Sequence, residues 1–404
     1  MKNNRTFLEK LLDGAEVEWK PLGDVCNFQN GFAFKSSLFK DNGAPIVRIT
    51  NIDGKEVNLS DVKYFLLDDY NTDMTPYKVH KGDILIAMSG ATTGKIGFYN
   101  YEHPSYLNQR VGKFLPNTNI LNNRYLYHYL LSKVEDIYII SGGGAQPNLS
   151  SNRLMSEVLI PIPPLSVQTE IVKILDALTA LTSELTSELT SELILRQKQY
   201  EYYREKLLSH NDSENSSQQK VDKDKLFSTS NIQWLHLNEI YKFQYGIGNK
   251  IPTIGGEYPV YGSNGIVGSH NEYNSEDAPV IGHIGAYAGI VNWAEGKHFV
   301  TYNGIICNKI NDNVNSRYAY YLLLSQNFID KANKASQPFI SYDILNKCIV
   351  PVPPIEEQQR IVSILDKFET LTNSITEGLP LAIEQSQKRY EYYRELLLNF
   401  PGRE

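Results

Sequence analysis

Residues 160–209 and 350–399 align without a gap at an offset of 190, with 23 of the 50 positions identical, including the run YEYYRE at 200–205 and 390–395. A repeat of this strength constrains the architecture more than any local motif, because the fold must be built around two copies of the same unit.

Each copy opens on an extended segment closed by Pro163-Pro164 or Pro353-Pro354, which sets the start of a helix. Apolar residues then recur at steps of three and four: Ile171, Ile174, Leu175, Leu178, Leu181, Leu185, Leu189 and Leu193 in the first copy, with Leu371, Ile375, Leu379 and Ile383 in phase in the second. Forty-odd helical residues would make a rod of about 65 Å. One apolar stripe on so long a rod predicts two helices packed on each other. Gly378 and Pro380 are expected to kink or break the second.

The blocks preceding the helices share a sparser set of landmarks. Trp19 matches Trp234, Leu22 matches Leu237, and Phe28-Gln29 with Gly31 matches Phe243-Gln244 with Gly246. Gly90-Ala91 and Gly94 match Gly285-Ala286 and Gly289, Asn108 matches Asn303, Arg124-Tyr125 matches Arg317-Tyr318, and Gln146-Pro147 matches Gln337-Pro338. The offset drifts from 215 to 190, so the first block carries insertions. Short β-type runs at 46–49, 84–87, 96–99, 280–284 and 299–302, punctuated by Gly and Asn, predict mixed α/β blocks. The segment Glu9-Lys10-Leu11-Leu12 echoes Glu205-Lys206-Leu207-Leu208, so the N-terminus resembles the tail of a helix repeat. The connector 209–224 is polar, the composition of a flexible linker.

The chemistry-bearing motifs are missing. SGATTGKIG at 89–97 has three residues between its glycines where a phosphate-binding loop needs four, and the matching GAYAGIV has no lysine. Neither proline pair is followed by the aromatic residue that aminomethylating enzymes use, no nuclease carboxylate–lysine set stands out, and the histidines lack metal-ligand spacing. His283, on an apolar strand, reads as a core or edge residue. Cys26, Cys307 and Cys348 form neither a disulfide framework nor a zinc site. No apolar run reaches membrane-spanning length and no signal peptide is evident, which fits a cytoplasmic protein. The net charge of −7 argues against nucleic acid until its distribution is read. Residues 17–158 carry 14 basic and 14 acidic side chains and residues 225–349 nine of each, so the excess acid lies in the connectors and helices.

The paired proline–helix segments, the TSEL array at 182–193 and the QKQYEYYREKLL ending resemble the specificity (S) subunit of type I restriction-modification systems. The resemblance implies two target recognition domains, each reading half of a split site in double-stranded DNA and similar to the recognition domain of adenine-N6 methyltransferases. It implies two long antiparallel helices, a coiled coil that sets the spacer and docks two adenine methyltransferase subunits, with restriction/translocase subunits joining for cleavage. S-adenosylmethionine, ATP and magnesium would sit on those partners, leaving this chain non-catalytic. The expected division is 1–159 for the first recognition domain with the N-terminal segment, 160–209 for the first spacer helix, and 210–224 for the linker. Residues 225–349 would form the second domain, and 350–404 the second spacer helix and C-terminus. A coiled-coil adaptor without DNA specificity is the competing reading.

Polar side chains on glycine-rich loops are the means of reading base edges. They nominate Gln29, Asn30, Thr92, Thr93, Lys95, Asn108, Gln109, Arg110, Gln146 and Asn148 in the first block. In the second they nominate Gln244, Asn249, Lys250, Asn264, Tyr287, Asn303, Gln337 and Ser341. For partner binding the candidates are Tyr202, Tyr203, Arg204, Tyr392, Tyr393 and Arg394, since aromatics and arginine anchor interfaces.

Overall fold

The computed structural model describes residues 6–142, 147–209, 232–248, 255–333, 336–374 and 377–400; Gln146, Asn249, Lys250 and the linker 210–224 lie outside them. The chain divides into two compact units, residues 1–187 with 383–404, and residues 188–382. These boundaries fall within the helical repeats, whereas the sequence suggested boundaries where the helices begin. The cause is that each repeat buries its start in one core and its end in another. Ile171, Leu175, Leu397 and Leu398 lie in the core of the first unit, and their counterparts Ile361, Leu365, Leu207 and Leu208 in that of the second.

In the first unit an antiparallel sheet runs Cys26–Asn30, Val111–Pro116, Ile84–Ala87, Ile96–Phe98. A second sheet runs Lys63–Phe65, Ala44–Val47, Ser105–Leu107, Lys78–Val79, its middle pair parallel. In the second unit one six-stranded sheet runs Tyr241–Tyr245, Gly304–Lys309, Ser275–Gly282, Val291–Val300, Tyr258–Gly262, Gly265–His270. All five runs read from sequence lie at least partly in these strands; the last, 299–302, ends Val291–Val300 and enters the next turn.

Matching hydrogen bonds align the units residue by residue. Asn108 N donates to Val47 O and Thr301 N to Tyr261 O, both at 3.0 Å, while Met88 N donates to Arg110 O and His283 N to Asn303 O, both at 2.8 Å. Asn303 is therefore the counterpart of Arg110, and Asn108 that of Thr301, correcting the sequence match of Asn108 with Asn303. The register also locates the insertion. Tyr261 stands 214 positions after Val47 and Gly282 stands 195 after Ala87, so the first unit carries nineteen more residues between these points. Strand Lys63–Phe65, antiparallel to Ala44–Val47, is matched by the end of Gly265–His270, antiparallel to Tyr258–Gly262, so the extra residues lie in the segments on either side of it.

Gly31 and Gly246 are matched for a steric reason. A Cβ on Gly31 would lie 1.9 Å from Asn108 O, and one on Gly246 would lie 2.1 Å from Thr301 O. Backbone cannot yield as a flexible side chain can, so Gly31→Ala and Gly246→Ala are each expected to destabilise their own unit by about 3 kcal/mol or more. Urea melts resolving the two units check this; an unchanged midpoint would contradict it.

The first repeat is one helix of 44 residues, Leu165–Leu208. The second is broken as anticipated into Ile355–Asn373 and Leu379–Leu398, with Gly378 at φ +114°. In the first unit Thr179 Oγ1 donates to the Tyr390 hydroxyl at 3.2 Å, and in the second Tyr203 stacks on Phe368 at 5.7 Å. The TSEL stretch is exposed or half-exposed, and Leu185, Leu189 and Leu193 belong to neither core. The N-terminal segment forms a short helix, Phe7–Leu12, closed by a capping box between Thr6 and Glu9, and buries Leu8 in the first core alongside Leu397 and Leu398.

Candidate nucleic-acid interface

Three loops meet at one end of the sheet in each unit, tied by the same bonds. In the first, Gly90 N donates to Pro147 O (3.1 Å), Leu149 N to Met88 O (2.8 Å) and Met88 N to Arg110 O. In the second, Gly285 N donates to Pro338 O (2.8 Å), Ile340 N to His283 O (2.9 Å) and His283 N to Asn303 O. Gly90, Gly94, Gly285 and Gly289 all have φ between +79° and +95°, which only glycine adopts without cost. These ties explain why the Gly-Ala landmarks and Pro147 and Pro338 recur: they form the frame of the tip.

On that frame the exposed side chains differ. Gln109, Arg110 and Asn148 are exposed in the first unit. Tyr302, the half-buried Asn303 and Phe339 occupy the same places in the second, with Tyr287 51% and Tyr302 46% exposed. Asn264 joins this tip because Ser263 Oγ donates to Ile284 O at 2.8 Å. Gln337 is exposed beside Pro338, and Gln244 is exposed on its strand. Behind Tyr302, Tyr245 stacks on Tyr342 at 4.2 Å and lies 4.3 Å from His283, ring centre to ring centre. His283 is buried, with Nδ1 3.0 Å from Tyr302 O, a structural role as read from sequence.

Other nominated residues hold structure. Thr93 is buried, its hydroxyl within bonding distance of Gly90 O (2.7 Å) and Pro147 O (3.2 Å), so it stitches two loops instead of facing outward. Thr92 Oγ1 donates to Ile49 O at 3.4 Å. Lys95 is half-buried in the same loop. Ser341 caps helix Tyr342–Asn346, its hydroxyl accepting from Ile344 N. Gln29 donates to Asn30 O at 2.7 Å, and both sit at the end of strand Cys26–Asn30. Tyr302 and Phe339 were missed; their signal was position alone, an aromatic beside a landmark Asn or Pro.

A duplicated joint, also unforeseen, fixes each tip-bearing domain to its helix. Gln168 Oε1 accepts from Asn122 N (2.7 Å), and its Nε2 donates to Ile120 O (2.9 Å) and Pro163 O (2.8 Å). Gln358 repeats this with Asn315 N (2.7 Å), Asn313 O (3.1 Å) and Pro353 O (2.8 Å). Arg124 pairs with Asp176, and Arg317 with Asp366 and Glu369. Burial would raise the Asp176 carboxyl, but hydrogen bonds from Arg124 and His128 outweigh it and hold the group below its ordinary range. Burial likewise opposes the Arg317 charge, and its bond to Asp366 more than offsets that, pushing the guanidinium up.

His128 is fully buried, with Nε2 2.7 Å from Asp176, and burial depresses its pKa despite that carboxylate. The folded state therefore takes up this proton less readily than the unfolded chain. The associated stability is present above the unfolded value of about 6.5 and is lost as pH falls through the folded one. The first unit should melt earlier at mildly acid pH than at pH 7.5. The variant His128→Tyr, matching Tyr321, should flatten that dependence, and an unchanged slope would refute the assignment.

Among the described residues no three His, Cys, Asp or Glu side chains are grouped to hold a metal, and no helix is long and apolar enough to cross a membrane. Similarity to known proteins agrees with the tips. A family described as the type I restriction modification DNA specificity domain matches residues 15–195 and 237–385. The chain is 41% identical to a putative type I restriction enzyme specificity subunit, S.HindORF215P of Haemophilus influenzae, over 99% of this chain and all of that one. It is 32% identical to the EcoR124I/EcoR124II specificity subunit of Escherichia coli, over 98% and 97% of the two chains. A solved chain from a study of type I system assembly and conformational transition shares the fold at TM-score 0.66, with 16% identity, covering 94% of this chain and 97% of that one. The crystal structure of the S subunit from Thermoanaerobacter tengcongensis does so at 0.54, with 16% identity and 95% of each chain covered. Two similar units with diverged tips, matched by the family in both halves, make this chain a member of the type I restriction-modification DNA specificity subunits.

Proposed function

We propose that each unit reads one half of a split DNA site through its loop tip, while this chain performs no chemistry itself. The observation that carries this reading is the repeated frame under unlike surfaces: Arg110 against Asn303, Gln109 against Tyr302, Asn148 against Phe339. A frame kept twice with its exposed positions changed is what two different half-sites require. Arginine presents two donors to a guanine edge, and apolar surface meets the thymine methyl. With a net charge of −7, the chain alone should hold DNA weakly, and the assembled complex supplies the phosphate contacts.

The partners are two methyltransferase subunits, with restriction/translocase subunits for cleavage; S-adenosylmethionine, ATP and magnesium belong to them, in the cytoplasm. For docking, Tyr202 and Tyr392 are 57% and 61% exposed, and Tyr393 is exposed as well. Tyr392 lines a groove with Trp19, Glu395 and Leu398, and the matching groove of the second unit is lined by Trp234, Glu205 and Leu208. Tyr203 instead stacks on Phe368, and Arg204 and Arg394 lie over Tyr200 and Tyr390, contributing to helix packing.

Co-expression with the methyltransferase subunit of its own system, followed by long-read mapping of N6-methyladenine, tests the reading. Arg110→Ala should relax one base pair in one half of the motif by about 1–3 kcal/mol and leave the other half unchanged. Relaxation in both halves, or in neither, would overturn it.

A further inference from the structure

Spacer length in a split site is both a distance and an angle. Adding one base pair moves a half-site by about 3.4 Å and turns it by about 35° around the duplex axis. A rigid helix can enforce that only if each recognition domain is held at a fixed angle to it. The bonds that could do so are the joint residues, and the two joints differ. Gln168 and Gln358 are fully buried and identical in role. The charged parts are unequal. Arg124 meets the single carboxylate of Asp176, shared with His128. Arg317 meets two carboxylates, Asp366 at 2.9 Å and Glu369 at 2.7 Å, and Tyr321 also donates to that pair. None of these residues is on a tip, so none can read a base.

We propose that Arg124–Asp176 and Arg317–Asp366–Glu369 are positioning clamps that hold each recognition domain at the angle its half-site requires, so that spacer discrimination is set by the joints as well as by helix length. The inference rests on the split-site reading above. The clamps are suited to tuning because they are half-exposed, with side-chain exposures of 32% for Arg124 and 29% for Arg317. The buried glutamines carry the fold, and the clamps fix the angle on top of it. Charge-assisted, multiply bonded pairs have the directional stiffness that this needs.

The test uses the complex with its methyltransferase and a pool of duplexes carrying both wild-type half-sites at every spacer around the natural one. Arg317→Met should raise methylation at spacers one base pair longer or shorter by about tenfold relative to the natural spacer, equivalent to about 1.4 kcal/mol of lost discrimination. Both half-site sequences should stay unchanged. Arg317→Lys keeps the charge but loses the forked geometry and should give a smaller shift in the same direction. A uniform fall at all spacers, or an unchanged profile, in the variant that remains folded by its melting curve would overturn the proposal. If Arg317→Met does not fold, the outcome with Arg317→Lys decides. A wild-type complex that methylates no split motif would instead overturn the underlying reading, and the two failures are thus distinguishable.

Discussion

Gln358→Leu is expected to unfold the second unit under conditions where the first persists. The side chain is 1% exposed and satisfies three backbone groups, Asn315 N, Asn313 O and Pro353 O. Leucine fills similar space but leaves all three without a partner. An orphaned buried polar group costs about 1–3 kcal/mol, so losing three costs about 3–9 kcal/mol, a large part of the 5–15 kcal/mol of a typical domain. Gln168→Leu should do the same to the first unit. An exposed glutamine such as Gln337 changed to leucine should shift stability by about 0.5 kcal/mol or less. Urea denaturation followed by near-ultraviolet signals reports both, and a Gln358→Leu midpoint equal to that of wild type would contradict the joint described here.

The second large effect concerns the TSEL array. Deleting residues 186–189 removes one four-residue unit from a stretch that lies inside one continuous helix and outside both cores. The helix shortens by about 6 Å, and the face beyond it rotates by about 40°. Since a base pair rises about 3.4 Å, the favoured spacer should shorten by one to two base pairs. Methylation at natural sites should fall by about a hundredfold, the effect of two misplaced contacts of about 1.4 kcal/mol each, and new sites with the same halves should appear. Loss of all methylation by a folded complex, or retention of the natural spacer, would refute the helix as a ruler.

Much of this architecture was legible because repetition is insensitive to local ambiguity. The offset of 190 fixed the helix copies, and Gly378 marked the break between Asn373 and Leu379. The glycine and proline landmarks were legible because backbone geometry requires them: Gly31 meets Asn108 O, and Gly90 holds Pro147 O. The unit boundaries were hidden because Leu207 and Leu397 look alike in sequence, and only the fold shows that they lie in different cores. Thr93 was nominated as a reader by residue type, yet its hydroxyl is spent on two carbonyls. Asn108 and Asn303 matched by identity alone, while hydrogen-bond register paired Asn303 with Arg110. The clamp residues Arg124 and Arg317 were visible as landmarks, but their partners Asp176 and Asp366 stand about fifty residues away and could not be assigned without coordinates.

The most direct test of half-site reading is to give the chain two copies of one reader. Leu22 N donates to Val158 O and Leu237 N to Cys348 O, so these pairs mark equivalent entry and exit points. Replacing residues 237–348 by residues 22–158 keeps both helix repeats and duplicates the first tip. The methylation motif of this chain with its methyltransferase should become an inverted repeat of the half-site assigned to the first unit, at a defined spacer. Retention of the original asymmetric motif, or a symmetric motif built from the other half, would contradict the account.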